Sequence, residues 1–347
     1  MLIAALRDLQ WRQRRVAITI VGTGLVFGMT LVLAGLSASF DAEADHFVKA
    51  LGADSYLYSD QASGPFTGAL PFSAGLVETV RATPGVTEAA ALVFTQAPLQ
   101  HSEFPLANVI GVQPQAVGSP APTRGRALRA TGEVVVASKL GKDPGDAMVV
   151  AGRRFTVTGT LNSTAIAGTP NIFMAIKDVQ DLVLGGQPLA MAILVRGTPT
   201  EPVAGLVADT PSAALDNLVR PLADAKGAIS FISVLLWIVA GIIIGSVVYL
   251  SALERARDFA VFKATGASNR AILVGLALQS VIVSLCSAAL GLVIAIALAP
   301  TFPMDVVLSP TLYALLPAIA LVVGLLASLA AMRRVSSIDP AAAFGGP

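Results

Sequence analysis

The chain has 347 residues, of which 54% are hydrophobic and 13% charged, with a formal net charge of +1 and a mean hydropathy of +0.74. It is too apolar to be dissolved in water throughout and too charged in its middle to be wholly embedded in lipid, so a membrane protein with a water-soluble part is the first expectation. The near-neutral balance, with no basic stripe carrying interleaved aromatics, excludes nucleic acid as a partner. A single cysteine, Cys286, rules out an intramolecular disulfide, and the two histidines, His46 and His101, stand far apart without other ligands in metal-binding spacing.

Residues 1–15 carry Arg7, Arg12, Arg14 and Arg15 beside Trp11, and residues 16–38 then run uncharged for long enough to cross a bilayer. Arginines ahead of the run put the N-terminus on the cytoplasmic side. Ser37, Ala38 and Ser39 are small enough for a signal-peptide cleavage site, but the run is long for a signal core, so an uncleaved anchor is expected. Gly24 and Gly28 form a GxxxG that lets a second helix approach.

Residues 39–227 have the composition of a folded extracytoplasmic α+β domain, with short alternating strands and Pro and Gly turns. Strands are expected at Asp54–Tyr58, Thr87–Thr95, Asn108–Val112, Glu133–Ala137, Ala147–Val150, Arg154–Thr160, Ile172–Ala175 and Met191–Val195. One helix is expected at Ala74–Ala82, closed by Pro84 and Gly85. A second span follows at 228–250, containing Trp237 and Tyr249, with Gly241 and Gly245 repeating the close-packing spacing. Residues 271–299 form the third span, 300–311 an outer loop without Lys or Arg, and 312–332 the fourth span, kinked near Pro317. Arg333 and Arg334 then open a cytoplasmic tail at 333–347. All four boundaries agree on one topology, with both termini inside.

Between the second and third spans lies the stretch 251–270, a strongly charged, helix-patterned segment. Glu254 and Arg257 stand three apart, as do Arg255 and Asp258, while Phe259, Ala260, Val261 and Phe262 supply apolar area and Gly266 closes the helix. Such a surface suits docking of a partner. The same charges also suit a plain cytoplasmic loop resting on lipid headgroups.

The pattern Glu254, Arg255, Arg257, Ala260, Lys263, Ala264, Gly266 and Ala267 resembles the coupling segment of FtsX-like permeases, a family that includes the MacB, LolC/LolE and DevC types. In the outer domain, Leu51–Tyr58, Thr83–Ala89, Val109–Val112, Gly132–Gly141, Pro144–Asp146 and Arg153–Thr160 resemble phrases of the MacB-like periplasmic core domain, in that family's order. Asp339 and Pro340 resemble the family's tail.

The resemblance implies a membrane protein with four transmembrane helices and a MacB-like core domain, acting as the permease subunit of an ABC transporter. ATP-driven motion of a partner ATPase would reach the outer domain and export or extract a substrate. Contact with the ATPase would fall on Glu254, Arg255, Arg257, Asp258, Phe259, Val261, Phe262 and Lys263, and ATP and magnesium would belong to the partner. A permease homo- or heterodimer, membrane lipid and an extracytoplasmic adaptor or substrate-presenting protein are the other partners implied. The chain departs from MacB in carrying no fused ATPase, which makes the DevC type the nearer comparison. The alternative within the family is a regulator of FtsX type that controls an exported protein.

The residues themselves carry no motor. No GxxxxGK[ST] occurs; Gly141 and Lys142 lack both the leading glycine spacing and the Ser or Thr. Neither GxSxG nor HExxH is present, so an enzyme is not expected. The four spans hold no Asp, Glu, Lys, Arg or His at depth, which disfavours proton or sodium coupling.

Overall fold

The helix built on the first apolar run does not stop where the run ends. In the computed structural model, which describes residues 13–100, 102–162, 165–254, 268–302, 306–307 and 310–336, α1 spans Gln13–Leu51 without a break. At 39 residues it is about 58 Å long, nearly twice what a bilayer core requires. Its second half is amphipathic: Ala44, Phe47, Val48 and Leu51 are buried, while Asp41 and Lys49 are exposed. Gly52, at φ +60°, ends the helix, and its last turn is tied down where Tyr56 Oη donates to Val48 O at 3.2 Å and Gly118 N donates to Leu51 O at 2.9 Å. Sequence reading placed a water-soluble domain from residue 39 and no helix there.

The chain divides into two compact units, Ser39–Asp224 and the chain on either side of it. In the first, after the end of α1, come β1 (Ser55–Ser59), β2 (Phe72–Ser73), α2 (Leu76–Arg81), β3 (Val86–Gln100), β4 (Leu106–Val112), β5 (Arg124–Gly125), β6 (Glu133–Ala137), β7 (Ala147–Val150) and β8 (Arg153–Leu161). There follow β9 (Ala165–Ile166), β10 (Thr169–Ala175), α3 (Ile176–Val183), β11 (Leu189–Ala190), β12 (Ala192–Gly197), β13 (Leu206–Asp209) and α4 (Pro211–Val219). The unit is β-rich. Its main sheet runs β13-β1-β12-β3-β4-β10-β6-β8-β5, and β7 pairs with both β8 and β3.

That last pairing closes a circuit of six strands, β3-β4-β10-β6-β8-β7, into a small mixed barrel with parallel pairs at β4·β10 and β6·β8. Alternation then sorts the side chains. Val93, Ala97, Val109, Val134, Val136, Met148, Val150, Phe155, Val157, Ile172 and Met174 fill the interior. The intervening Ile110, Val135 and Phe173 point outward to a second core that takes in Ala44, Phe47, Val48 and Leu51 of α1. Phe47 lies 5.5 Å from Phe66, 5.8 Å from Phe94 and 6.3 Å from Phe173, ring centre to ring centre.

Most expected strands are present with ends displaced by a few residues. The largest differences are β3, which runs on to Gln100 because its far end serves β7, and the two helices α3 and α4, which had not been expected. Gly85 adopts φ +88°, and a side chain there would fall 2.2 Å from the Thr198 carbonyl, so that turn requires glycine.

The second unit contains the first part of α1 with α5 (Ala223–Glu254), α6 (Asn269–Leu298) and α7 (Pro310–Ser336). Among the described residues three helical stretches are long and apolar enough to cross a membrane, Gln13–Leu51, Pro211–Glu254 and Val274–Thr301, and α7 contributes a shorter apolar stretch, Tyr313–Ser328. Pro317 lies inside α7 without ending it.

One surface pair in the barrel titrates in an informative range. Arg126 donates from Nη2 and Nη1 to Glu133 at 2.6 and 3.0 Å and holds its carboxyl down to about 2; burial opposes this, and the N–H groups of Arg129 and Ala130 add to it. A depressed folded pKa stabilises the fold above the unfolded value of about 4.3 and ceases to do so as pH falls through about 2. In thermal unfolding of the detergent-purified chain, Glu133→Gln should therefore melt a few degrees below the parent at pH 7 and converge on it towards pH 2.

Candidate functional site

The charged segment at 251–270 is where sequence reading put the partner contact. Arg255, Arg257, Asp258, Phe259, Val261, Phe262 and Lys263 lie outside the described residues. Glu254, the last residue of α5, is described: its Oε1 accepts from Arg15 Nη1 at 2.9 Å, with 31% of the Arg15 and 47% of the Glu254 side chain exposed. An ion pair so exposed contributes roughly 0–1 kcal/mol; it links the first turn of α1 to the end of α5.

The helices leading to this segment are joined through small residues. Gly24 and Gly28 of α1 face α6: a Cβ at Gly24 would come within 3.0 Å of Leu290, and one at Gly28 within 3.0 Å of the Gly291 carbonyl. Gly241 and Gly245 of α5 face α7 more loosely, at 3.8 Å from Val323 and 3.6 Å from Ala327. Thus α1 meets α6 and α5 meets α7, the first pair far more closely than the second.

Sequence reading missed Gly291 on α6, which faces α1, and Gly324 on α7, which faces α6. A Cβ at Gly291 would sit 2.8 Å from Phe27 Cβ and 2.9 Å from both Gly24 O and Gly28 N, and one at Gly324 would sit 3.0 Å from Val281 Cα. Buried hydroxyls reinforce both contacts. Thr23 Oγ1 lies 2.5 Å from Ser287 Oγ, and Ser284 Oγ donates across to Ala320 O at 2.5 Å. The signal lies in small residues four apart, Ser287, Gly291 and Ala295 towards α1, and Ser280, Ser284 and Ala288 on α6 with Ala320, Gly324 and Ser328 on α7, which a glycine-only spacing does not mark. Between α5 and α7 the small residues leave an open apolar groove of about 1150 Å³, walled by Trp237, Tyr249, Leu315 and Val322.

Apolar helices with a β-rich domain of 186 residues between the first and second of them, and a charged segment between the second and third, have the arrangement of a membrane permease. Residues 16–211 match the MacB-like periplasmic core domain and residues 230–340 the FtsX-like permease C-terminal region. The chain belongs to the FtsX-like, MacB-like family of ABC transporter permeases, which is not an enzyme family and whose members work with an ATPase partner.

It is 47% identical over 349 residues to uncharacterized ABC transporter permeases of Mycobacterium tuberculosis (strain H37Rv) and Mycobacterium bovis, covering 100% of both chains in each case. Among solved structures it is similar to the extracellular domain of the noncanonic ABC-type transporter YknZ from Gram-positive bacteria, at 14% identity and TM-score 0.33 over 50% of this chain and 95% of that one. The periplasmic region of MacB from Actinobacillus actinomycetemcomitans is matched at 14% identity and TM-score 0.33, over 52% of this chain and 87% of that one.

The two glycine contacts make unequal demands. Gly291→Ala drives a methyl group against Phe27 Cβ and the backbone of α1 and should cost about 1–3 kcal/mol, whereas Gly241→Ala meets nothing nearer than 3.8 Å and should be close to neutral. Monodispersity after heating in detergent separates them: the first variant should aggregate at a lower temperature than the parent and the second should not.

Proposed function

We propose that this permease conveys the movement of a separate ATPase subunit across the membrane to its β-rich domain, and that the work is done on that outer side. ATP and magnesium belong to the partner. The segment around Glu254, Arg255, Arg257, Asp258, Phe259, Val261, Phe262 and Lys263 is the docking surface, both termini and this segment are cytoplasmic, and the domain at 39–227 is extracytoplasmic. Four helices cross the inner membrane, α7 being the fourth, and two permease copies, identical or related, act together with two ATPases. What the outer domain acts on is a lipid-like, peptide or other hydrophobic substrate, presented directly or through an adaptor.

The observation that carries this reading is α1 itself. It is a membrane-grade helix at Gln13 and a core element of the β-rich domain at Phe47 and Leu51, with no break between. A helix is stiff over such a length, so a displacement at its first turn is not absorbed along the way. Arg15 in that turn is paired with Glu254, at the start of the docking segment.

The test is charge reversal. Glu254→Arg combined with Arg257→Glu should sharply reduce co-purification of the ATPase while the permease still reaches the membrane in normal amount. Because Glu254 also holds Arg15, Arg15→Glu alone serves as the control and should leave most of the ATPase bound. Unchanged ATPase recovery in the double variant would reject the docking assignment, and altered membrane abundance with the ATPase still bound would favour a segment that merely rests on lipid headgroups.

A further inference from the structure

The stripe by which α1 packs on the β-rich domain contains a carboxylate. Glu43 is 7% exposed, one turn from Ser39 at 0% and one turn from Phe47 at 1%. Its Oε2 accepts the Gly168 N–H at 3.0 Å. Gly168 at φ +76° and Ala167 at φ +52° are the two central residues of the turn joining β9 to β10, a geometry in which both must take positive φ. Glu43 therefore holds the tip of a hairpin.

That hairpin leads into the middle of the barrel. β10 pairs with β4 on one side and β6 on the other. Its first residues are fastened by buried amides: Asn108 Nδ2 donates to Thr169 O at 3.1 Å and to Asn171 Oδ1 at 2.9 Å, and Gln96 Nε2 donates to Asn108 Oδ1 at 3.1 Å. A continuous polar path thus runs from α1 through the turn to β10, β4 and β3.

Adhesion alone does not account for the carboxylate. Phe47, Val48 and Leu51 already bury an apolar face, and placing a carboxylate in the same stripe costs hydration that a hydrocarbon side chain would not lose. What a carboxyl acceptor adds is direction. A hydrogen bond fixes one distance and one angle, whereas apolar contacts let a helix slide or turn on a sheet. We propose that Glu43 is a positioning residue, a latch by which movement of α1 is delivered to the β9–β10 hairpin and, through the Asn108 and Gln96 amides, to the barrel. The proposal rests on the mechanical reading given under Proposed function and names the place where force enters the outer domain.

The experiment follows backbone amide exchange of residues 165–171 in the permease–ATPase complex in lipid nanodiscs, with and without ATP plus vanadate, for the parent, Glu43→Ala and Glu43→Gln. The parent should show nucleotide-dependent exchange in this hairpin. Glu43→Ala should lose that response while keeping the nucleotide-dependent change in residues 13–38 and a normal yield of bound ATPase. Glu43→Gln, which keeps an acceptor for the Gly168 N–H, should restore the response at least in part, a rescue that a purely structural role for Glu43 would not produce. A response retained in Glu43→Ala, or lost equally in Glu43→Gln, overturns the latch and leaves the proposed function standing. A parent complex with no nucleotide response in either α1 or the hairpin overturns the proposed function and the latch with it. Should Glu43→Ala fail to fold, the Gly168 amide of the parent carries the test: exchange there must change with nucleotide together with α1, and an amide indifferent to nucleotide while α1 responds overturns the proposal.

Discussion

One helix has to satisfy two solvents. Over its first half α1 needs apolar side chains almost all round, because lipid offers nothing to a charge; over its second half it needs one apolar stripe against a sheet and polar groups elsewhere. The backbone hydrogen-bond ladder runs unbroken through both halves, since every N–H between the ends is satisfied within the helix. Val16–Leu36 meets the first demand and Ala44, Phe47, Val48 and Leu51 meet the second.

Each unit then offers α1 a firm seat. In the β-rich unit six strands pair into a closed circuit, and the aromatic cluster of Phe47, Phe66, Phe94 and Phe173 sets α1 against its outer face. In the helical unit there is little hydrophobic drive between helices already in lipid, so the seat is made by close approach at Gly24, Gly28 and Gly291 and by the Thr23–Ser287 hydroxyl pair. The α5–α7 contact is looser and leaves an apolar groove.

Much of this was legible in the residues. Long uncharged runs announce membrane helices whatever their tertiary setting, and short Val-rich runs bounded by Gly and Pro turns announced β6 and β7. Three things were not. The continuation of α1 was hidden because Asp41, Glu43 and Asp45 were read as the start of a soluble domain, although Ala44, Phe47, Val48 and Leu51 repeat at helical spacing. The barrel was invisible because closure depends on β7 pairing with β3, a contact across about 50 residues that no local pattern records. The partner of Gly24 and Gly28, Gly291, stands four residues from Ser287 and Ala295 rather than from another glycine, so the GxxxG spacing does not mark it. The docking residues from Arg255 to Lys263 rest on family resemblance, and only Glu254 among them has a described environment.

The account stands or falls on whether α1 moves as one piece. Spin labels at Ile18 and Lys49, both well exposed, in a chain whose lone Cys286 has been replaced, report the length of the helix by pulsed electron spin resonance. A single narrow distance distribution centred at about 46 Å, as a rise of ~1.5 Å per residue requires, and identical with and without nucleotide in the ATPase complex, is the result the account predicts. A broad distribution, or one that shortens when nucleotide binds, would mean that α1 bends between the membrane and the β-rich domain and would contradict it.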